Sequence, residues 1–526
     1  MNASQPDFLR LLQEFFPEVE PEKLLQQNLL QLGADSIIAA LLAARIWHFW
    51  DISLSVKCLL DLKCCADILA LLPTEPRQSP REKESVKEGE IFHQTDAQQM
   101  IYLELFRQPD TTAYNIPLIA VIPQAIAPQR FQQALQQAAE RFPALFCRFY
   151  DENGQLLFRY TGTQTVPLQR YDNLQQGSAI FVQPYQLNKD LLLRAAIVPW
   201  DGQQTLLMLD FCHIAADGLS VGFFLRQLRA ALLSIPQTEE TPSLFAWSCW
   251  MQQAEYRIER AEAEHFWHKR LSPAPKKPRW PLQQIPKSNG FGYAVQQVHL
   301  DSKLCSTIRS RARVEEVTPF TLFLLAWALL QSDVTECWQG RVGLVVSGRH
   351  APAWQETFGM FVNTLLLPVD LEPQQSIADT LAALSQQTQQ ALANQHYPFI
   401  AQRELLQDDE TESPLDALFA FQNIDYQNID FLGGQFRTFY EAKRMAQFGM
   451  VIHVFDRQQQ GYEIQWEHAP ECFSSSLVTS LLRRYQAILQ ALVTHPTHLP
   501  IIQCINDEDT TTSALSNVTT VDFNFF

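Results

Sequence analysis

Two short stretches carry residues whose types and spacing could do chemistry. In residues 210–220, Asp-Phe-Cys-His-Ile-Ala-Ala-Asp-Gly-Leu-Ser, the imidazole of His213 stands four residues before the carboxylate of Asp217, with Cys212 on one side and Gly218 beyond. An imidazole changes charge near neutrality, so it can accept the proton of an attacking nitrogen or hold that nitrogen by a hydrogen bond. The carboxylate is better suited to ordering the loop by pairing with a cation than to touching substrate. The competing plain reading is a satisfied structural histidine. Cys212, His213 and Asp217 also suggest a metal, but no further ligand stands nearby and a bound metal needs three or four, so none is expected. The second stretch is residues 32–36, Leu-Gly-Ala-Asp-Ser. Asp35 and Ser36 at a helix start suit simple capping. The same place suits a serine that carries a phosphodiester, because helix N-termini favour anions.

These residues need rigid mounts, and the patterning supplies them. Residues 205–208 read as a buried strand and residues 220–230 as an amphipathic helix, which puts His213 and Asp217 on the tight turn between them, with Gly218 letting the turn close. Residues 1–72 read as a compact helical unit, with Phe8, Leu9, Leu11, Leu12 and Phe15 on one helix and Ile37, Leu41 and Ile46 on another. Residues 73–90 hold three prolines and alternating charge, which cannot bury a core, and read as a linker spanning up to roughly 60 Å when extended. Beyond it, strands near 115–121, 205–208, 343–346, 450–455 and 462–466 alternate with helices near 128–141, 318–331, 376–394 and 474–493. This is a mixed α/β pattern. Two lobes, 91–270 and 271–505, and a tail, 506–526, complete the division. The helix near 318–331 is apolar nearly all round and belongs in the core of the second lobe.

Composition removes whole classes of function. At 526 residues, 46% hydrophobic and 18% charged, the chain is globular and too long for one core. A net charge of −17 offers no basic face for nucleic acid. There is no phosphate-binding loop or dinucleotide glycine fingerprint. No apolar run is long enough to cross a bilayer and no secretory signal opens the chain, so a cytoplasmic location without membrane attachment is expected. Ten cysteines without a Cys-x-x-Cys pair read as small hydrophobes or free thiols.

Residues 212–218, Cys-His-Ile-Ala-Ala-Asp-Gly, resemble the His-His-x-x-x-Asp-Gly signature of nonribosomal peptide synthetase condensation domains. Further segments resemble that family in order: residues 95–102, 244–250, 347–349 (Ser-Gly-Arg), 358–365 (Gly-Met-Phe-Val-Asn-Thr within it), 394–399 and 413–423. The resemblance covers about residues 91–505. It implies two chloramphenicol-acetyltransferase-like α/β lobes in a V with the active site at their junction, and amide formation by acyl transfer from a thioester to an amine. His213 would carry the main role, with Asp217 and Gly218 completing the motif. Arg349 is the implied partner of Asp217, and Cys212, Ser347, Arg349 and Asn363 are substrate-site candidates. Asn363 either lines the site or cross-links loops.

Residues 28–37 resemble the carrier motif of peptidyl and aryl carrier domains. That implies a small all-α four-helix carrier over residues 1–72 with 4′-phosphopantetheine attached to Ser36. The implied partners are a phosphopantetheinyl transferase, an adenylation enzyme acting in trans, an upstream synthetase, and either a small soluble amine or an amine on a partner carrier. No carrier follows residue 505, so release of a free siderophore-like or terminal amide is the expectation. Residues 521–526 end in aromatics and read equally as a docking segment or a plain tail. Two residues depart from the family: Cys212 replaces the usual first histidine and Phe146 replaces a usual arginine. If that arginine braces Asp217, another cation such as Arg148 must take over or the loop is held differently. The alternative reading is a condensation-like domain that has lost catalysis and serves as a recruitment platform. An epimerising or heterocyclising variant fits the motifs less well.

Overall fold

The computed structural model describes residues 4–17, 19–34, 36–50, 52–54, 56–73, 86–200, 204–236, 242–281, 292–406, 413–422, 429–439, 446, 448–457, 460–506 and 519–520. Asp35, most of the expected linker, and residues 521–526 lie outside the described residues.

Among the described residues the N-terminus carries six helical segments, two of them single turns: Gln5–Phe15, Pro21–Leu24, Leu29–Leu32, Ser36–Trp50, Val56–Asp61 and Cys65–Leu71. Asn28 opens the third with a reciprocal capping box to Gln31. Gly33 closes it at φ 93°, a left-handed conformation that a side chain resists. Phe8, Leu12, Leu42, Ile46, Leu59 and Ile68 form a core to which, among the described residues, only those of this unit contribute.

The first lobe is built on a five-stranded sheet in the order Phe436–Thr438, Asn115–Ile122, Gln204–Cys212, Leu193–Trp200, Leu168–Arg170. All pairs are antiparallel except the last. The central strand Gln204–Cys212 is buried along nearly its whole length, because helices Pro128–Glu140 and Gly218–Leu232 cover one face and a second cluster around Ile119, Val198 and Met208 fills the other. That strand runs four residues beyond the expected stretch. Asp210 hid the continuation, yet this carboxylate is fully buried, with the Asn115 amide at 2.7 Å and Arg194 at 3.4 Å. A three-stranded sheet of Ile91–His93, Gln155–Tyr160 and Cys147–Glu152 flanks the lobe.

The second lobe carries a seven-stranded mixed sheet in the order Asn363–Asp370, Gln339–Val346, Ala417–Gln422, Met450–Asp456, Tyr462–His468, Ala294–His299, Thr519–Thr520. Helix Pro319–Thr335, with proline at its first position, is buried from Phe320 to Ser332 and stacks Trp327 on Trp280 at 5.2 Å between ring centroids. Helix Ser475–Thr494 packs beside it. The division at residue 270 is not clean in space. Phe436–Thr438 leaves the second lobe to pair with Leu118, Ile119 and Ala120 on the edge of the first lobe's sheet. In the other direction, Trp267 on helix Ala254–Arg270 donates its indole N–H to the Asn394 carbonyl at 3.0 Å. Among the described residues no single helix is long and apolar enough to cross a membrane.

Candidate active site at the junction of the lobes

The turn that carries His213 is held from several sides. Its backbone N–H donates to the Tyr114 carbonyl at 2.9 Å, and Ala215 N–H closes the turn onto the Cys212 carbonyl at 3.0 Å. The Gln98 side chain donates to the Ile214 carbonyl at 3.1 Å, while the same residue forms a capping box with Thr95 at the start of helix Asp96–Arg107. Cys212, Ile214, Ala215 and Ala216 are buried, whereas His213 is only partly so. The arrangement presents an imidazole on a fixed backbone. Gly218 plays a different part from the one expected: it is the first residue of helix Gly218–Leu232, in ordinary helical geometry, and the turn closes upstream of it.

Asp217 caps that helix, its Oδ1 accepting from the Ser220 N–H at 3.0 Å. Arg349, 132 positions away in the second lobe, meets the carboxylate with two parallel bonds, Nη1 to Oδ2 at 2.7 Å and Nη2 to Oδ1 at 3.1 Å. Both side chains are fully buried. Phe361 N–H adds a bond to Oδ2 at 3.2 Å, and the Ser220 hydroxyl lies 2.9 Å from Oδ1 and accepts from Gly359 N–H at 3.0 Å. Arg349 also donates to the Thr357 carbonyl at 2.9 Å and lies over the Phe361 ring at 4.4 Å. The carboxylate is therefore saturated by donors and is a brace between lobes rather than a base.

The remaining candidates sort by what they touch. The Cys212 thiol is buried and pushed up to about 12 by that burial, so it is neither nucleophile nor proton donor at neutral pH. Gln395 Oε1 accepts from the Ser347 hydroxyl at 3.3 Å and from Gly348 N–H at 2.9 Å. Gly348 has φ 69°, and a Cβ there would fall 1.8 Å from the Phe361 carbonyl oxygen, so this close crossing requires glycine. Asn363 links loops, one of the two parts considered for it. It donates to the Gln395 and Tyr397 carbonyls at 2.8 and 2.7 Å and accepts from Thr364 and Phe399 N–H, and it also lines a cavity of about 40 Å³ with Met100, Trp247, Phe361 and His396.

Beside that cavity the rings of His396 and His350 lie 4.2 Å apart, with Glu259 bonded to His350 at 3.0 Å. Burial, and then the neighbouring His350, holds His396 down to about 4. Ser36 opens helix Ser36–Trp50 in the N-terminal unit.

Arg148 does not replace the missing arginine. Its guanidinium donates to the Cys147 carbonyl and to Gln164 at 3.1 and 3.2 Å, while Phe146 is buried in the first lobe's core. Arg349 supplies the brace instead. Three supporting residues escaped the sequence reading: Gln98, Ser220 and Gln395. Gln98 lies inside a quoted motif and Ser220 has capping spacing after Asp217. Gln395 carried no sequence signal beyond its motif, because its role depends on two loops meeting.

The family described as Condensation domain matches residues 90–511 of this chain. Bacitracin synthase 3 of Bacillus licheniformis is 23% identical over 498 residues, covering 92% of this chain and 8% of that protein. Surfactin synthase subunit 2 of Bacillus subtilis (strain 168) is 24% identical over 486 residues, covering 90% and 13%. The chain thus spans a small part of the curated relatives it matches. Among solved structures, the condensation domain from Monacolin K polyketide synthase MokA aligns with a TM-score of 0.70 at 16% identity, over 79% of this chain and 100% of that one. Holo-AB3403, a four-domain nonribosomal peptide synthetase bound to AMP and glycine, aligns at 0.68 and 16% identity, over 81% and 34%. At these identities the structures speak to the fold, and the family match speaks to kinship. Over most of its length this chain belongs to the condensation-domain family.

Proposed function

We propose that this chain joins an acyl group, delivered as a thioester on its own N-terminal helical unit, to an amine, with His213 as the residue that meets the attacking nitrogen. The observation that carries the reading is the Asp217–Arg349 brace, which ties the His213 turn of one lobe to the Ser347–Phe361 region of the other. Such a tie keeps an imidazole in one place while bonds change, which is how orientation contributes to rate. The nitrogen lone pair forms the new C–N bond at the thioester carbonyl carbon, the C–S bond breaks, and the thiolate leaves. His213 accepts or orients the proton lost from nitrogen on the way. Asp217 holds the turn and takes no proton, and Asn363 holds the loop 395–399 against the strand it begins. The two departures from the motif do not dismantle this arrangement, because Arg349 braces Asp217 and Cys212 is packed away from solvent.

The helical unit fits the carrier role on its backbone: Gly33 ends one helix, and Ser36 begins the next, of 15 residues, whose N-terminus favours an anion. Ser36 would hold 4′-phosphopantetheine, whose thiol supplies the thioester. We assign phosphopantetheinyl transferase and adenylation partners on the same reading, together with a siderophore-like or amide product. The test is to phosphopantetheinylate the full chain, load an acyl group, add a panel of soluble amines and, separately, aminoacylated carriers, and follow amide by mass spectrometry. Amide formation that disappears in Ser36→Ala supports the proposal. Loading that proceeds normally in Ser36→Ala, or no amide from any acceptor, overturns it.

A further inference from the structure

We propose that the N-terminal helical unit is not merely tethered but docks on the seam beside the brace, with the Arg45–Glu356 ion pair as the charged contact that sets its seat. Helix Ser36–Trp50 lies on the short turn Pro352–Trp354 of the second lobe. Arg45 Nε stands 3.8 Å from Glu356 Oε1, with side chains 27% and 23% exposed. Two further points of approach fix the orientation. A Cβ added to Gly33 would meet the Arg313 guanidinium at 3.2 Å, and helix Val56–Asp61 lies against helix Ile377–Ala393. Contacts on three separate elements of one lobe determine a seat, whereas one contact would leave the unit free to pivot.

The chemistry of the seat is that of a reversible interface. Among the described residues the helical unit's core borrows none from either lobe, so the surfaces that meet belong to two finished units. Its charged contact is a single, long ion pair with side chains 27% and 23% exposed, which contributes little by itself and is easily exchanged. Arg226, on the same helix that Asp217 caps, lies within electrostatic reach of both partners, attracted by Glu356 and repelled by Arg45. The docking turn also leads directly into the brace, since Glu356 precedes Thr357, whose carbonyl accepts from Arg349. Seating therefore places the delivering unit against the segment that holds Asp217. This inference rests on the carrier reading for its meaning in the reaction, but the docking itself does not.

The charge pattern makes an asymmetric prediction. Glu356→Arg sets a new cation against both Arg45 and Arg226, so it should undock the unit more completely than Arg45→Glu, where Arg226 attracts the new carboxylate. The exchange Arg45→Glu with Glu356→Arg restores an opposite-charge pair. The experiment uses the full chain in its phosphopantetheinyl form. Small-angle scattering reads docking without reference to activity, and acyl transfer is measured twice, from the loaded helical unit and from a soluble acyl-N-acetylcysteamine thioester. We expect a larger radius of gyration and about 2- to 5-fold slower transfer from the loaded unit in Glu356→Arg, a smaller effect in Arg45→Glu, and recovery in the exchange. Transfer from the soluble thioester should be unchanged throughout. Identical scattering for the wild type and Glu356→Arg, or failure of the exchange to recover compaction, overturns docking whatever the activity. Absence of turnover on either thioester in the wild type counts against the proposed function instead, and the scattering then decides docking alone.

Discussion

Replacing Asp217 by alanine should cost the condensation unit as much as any single truncation around the site. The substitution leaves the Arg349 guanidinium buried without its anion, which in other buried pairs costs about 3–5 kcal/mol, because an uncompensated charge in a low-dielectric interior is far worse than a missing contact. It also removes the cap on helix Gly218–Leu232, worth about 1 kcal/mol. The two losses fall on one residue, so a total near 4–6 kcal/mol is expected. Arg349→Ala should do comparable damage by stranding the carboxylate, which keeps only backbone donors and Ser220. The double variant should be less destabilised than the sum of the singles, because the second change removes the charge that the first left unpaired. Urea unfolding followed by tryptophan fluorescence, with the helical unit's own transition resolved by fitting, measures this. A change below about 1 kcal/mol in Asp217→Ala, or strict additivity in the double variant, would refute the brace.

Three further outcomes follow from the same packing. Gly348→Ala should destabilise the unit strongly and depress activity, since its Cβ would fall 1.8 Å from the Phe361 carbonyl oxygen; thermal unfolding and turnover check it. Phe146→Arg, although it restores the residue usual in the motif, should destabilise rather than activate, because the site is 1% exposed within an apolar core and Asp217 is already paired; a gain of activity in that variant would contradict the assignment of the brace. Acidification should weaken the fold between about pH 6.5 and 4. His396 is held down to about 4 by burial and by His350, with Arg260 also opposing its charge and Glu259 favouring it. The unfolded chain takes up a proton near the ordinary histidine value while the folded chain does not, so roughly 3 kcal/mol is lost as pH falls across that window. In His396→Gln the corresponding part of the pH slope of stability should vanish.

Periodicity located several of the strands and long helices of both lobes, because a covered strand and a core helix such as Pro319–Thr335 announce themselves as apolar runs, but it passed over others such as Leu193–Trp200, Ala294–His299 and helix Ser302–Val314. It misjudged the end of Gln204–Cys212, where a buried Asp210 looks like a loop residue and is satisfied only by Asn115 and Arg194 from neighbouring strands. It gave no sign that Phe436–Thr438 would cross to the other sheet, since strand partners depend on the whole chain. At the site, residue type and spacing singled out His213 and Asp217 as candidates beside a plain structural reading, and the resemblance of their motifs singled out the same two residues and Arg349. That the carboxylate would pair with a cation was expected as well; the further donors that share it, from Ser220 and from the Phe361 backbone 3 and 144 positions away, were not, because they are decided by how the loops meet. Arg148 illustrates the converse. It is near in sequence to the missing arginine and yet turns toward Gln164, because its strand, Cys147–Glu152, belongs to the flanking sheet.

The measurement closest to the central claim is single-turnover amide formation in the full, acyl-loaded chain with His213→Ala beside Cys212→Ala. A positioned imidazole contributes about 10²- to 10⁴-fold, so the His213 variant should fall by that factor while its loading and unfolding midpoint stay at the wild-type values, and Cys212→Ala should retain most of the rate apart from any loss of stability. Wild-type turnover in a folded, loaded His213→Ala protein would contradict the account and favour the recruitment-platform reading.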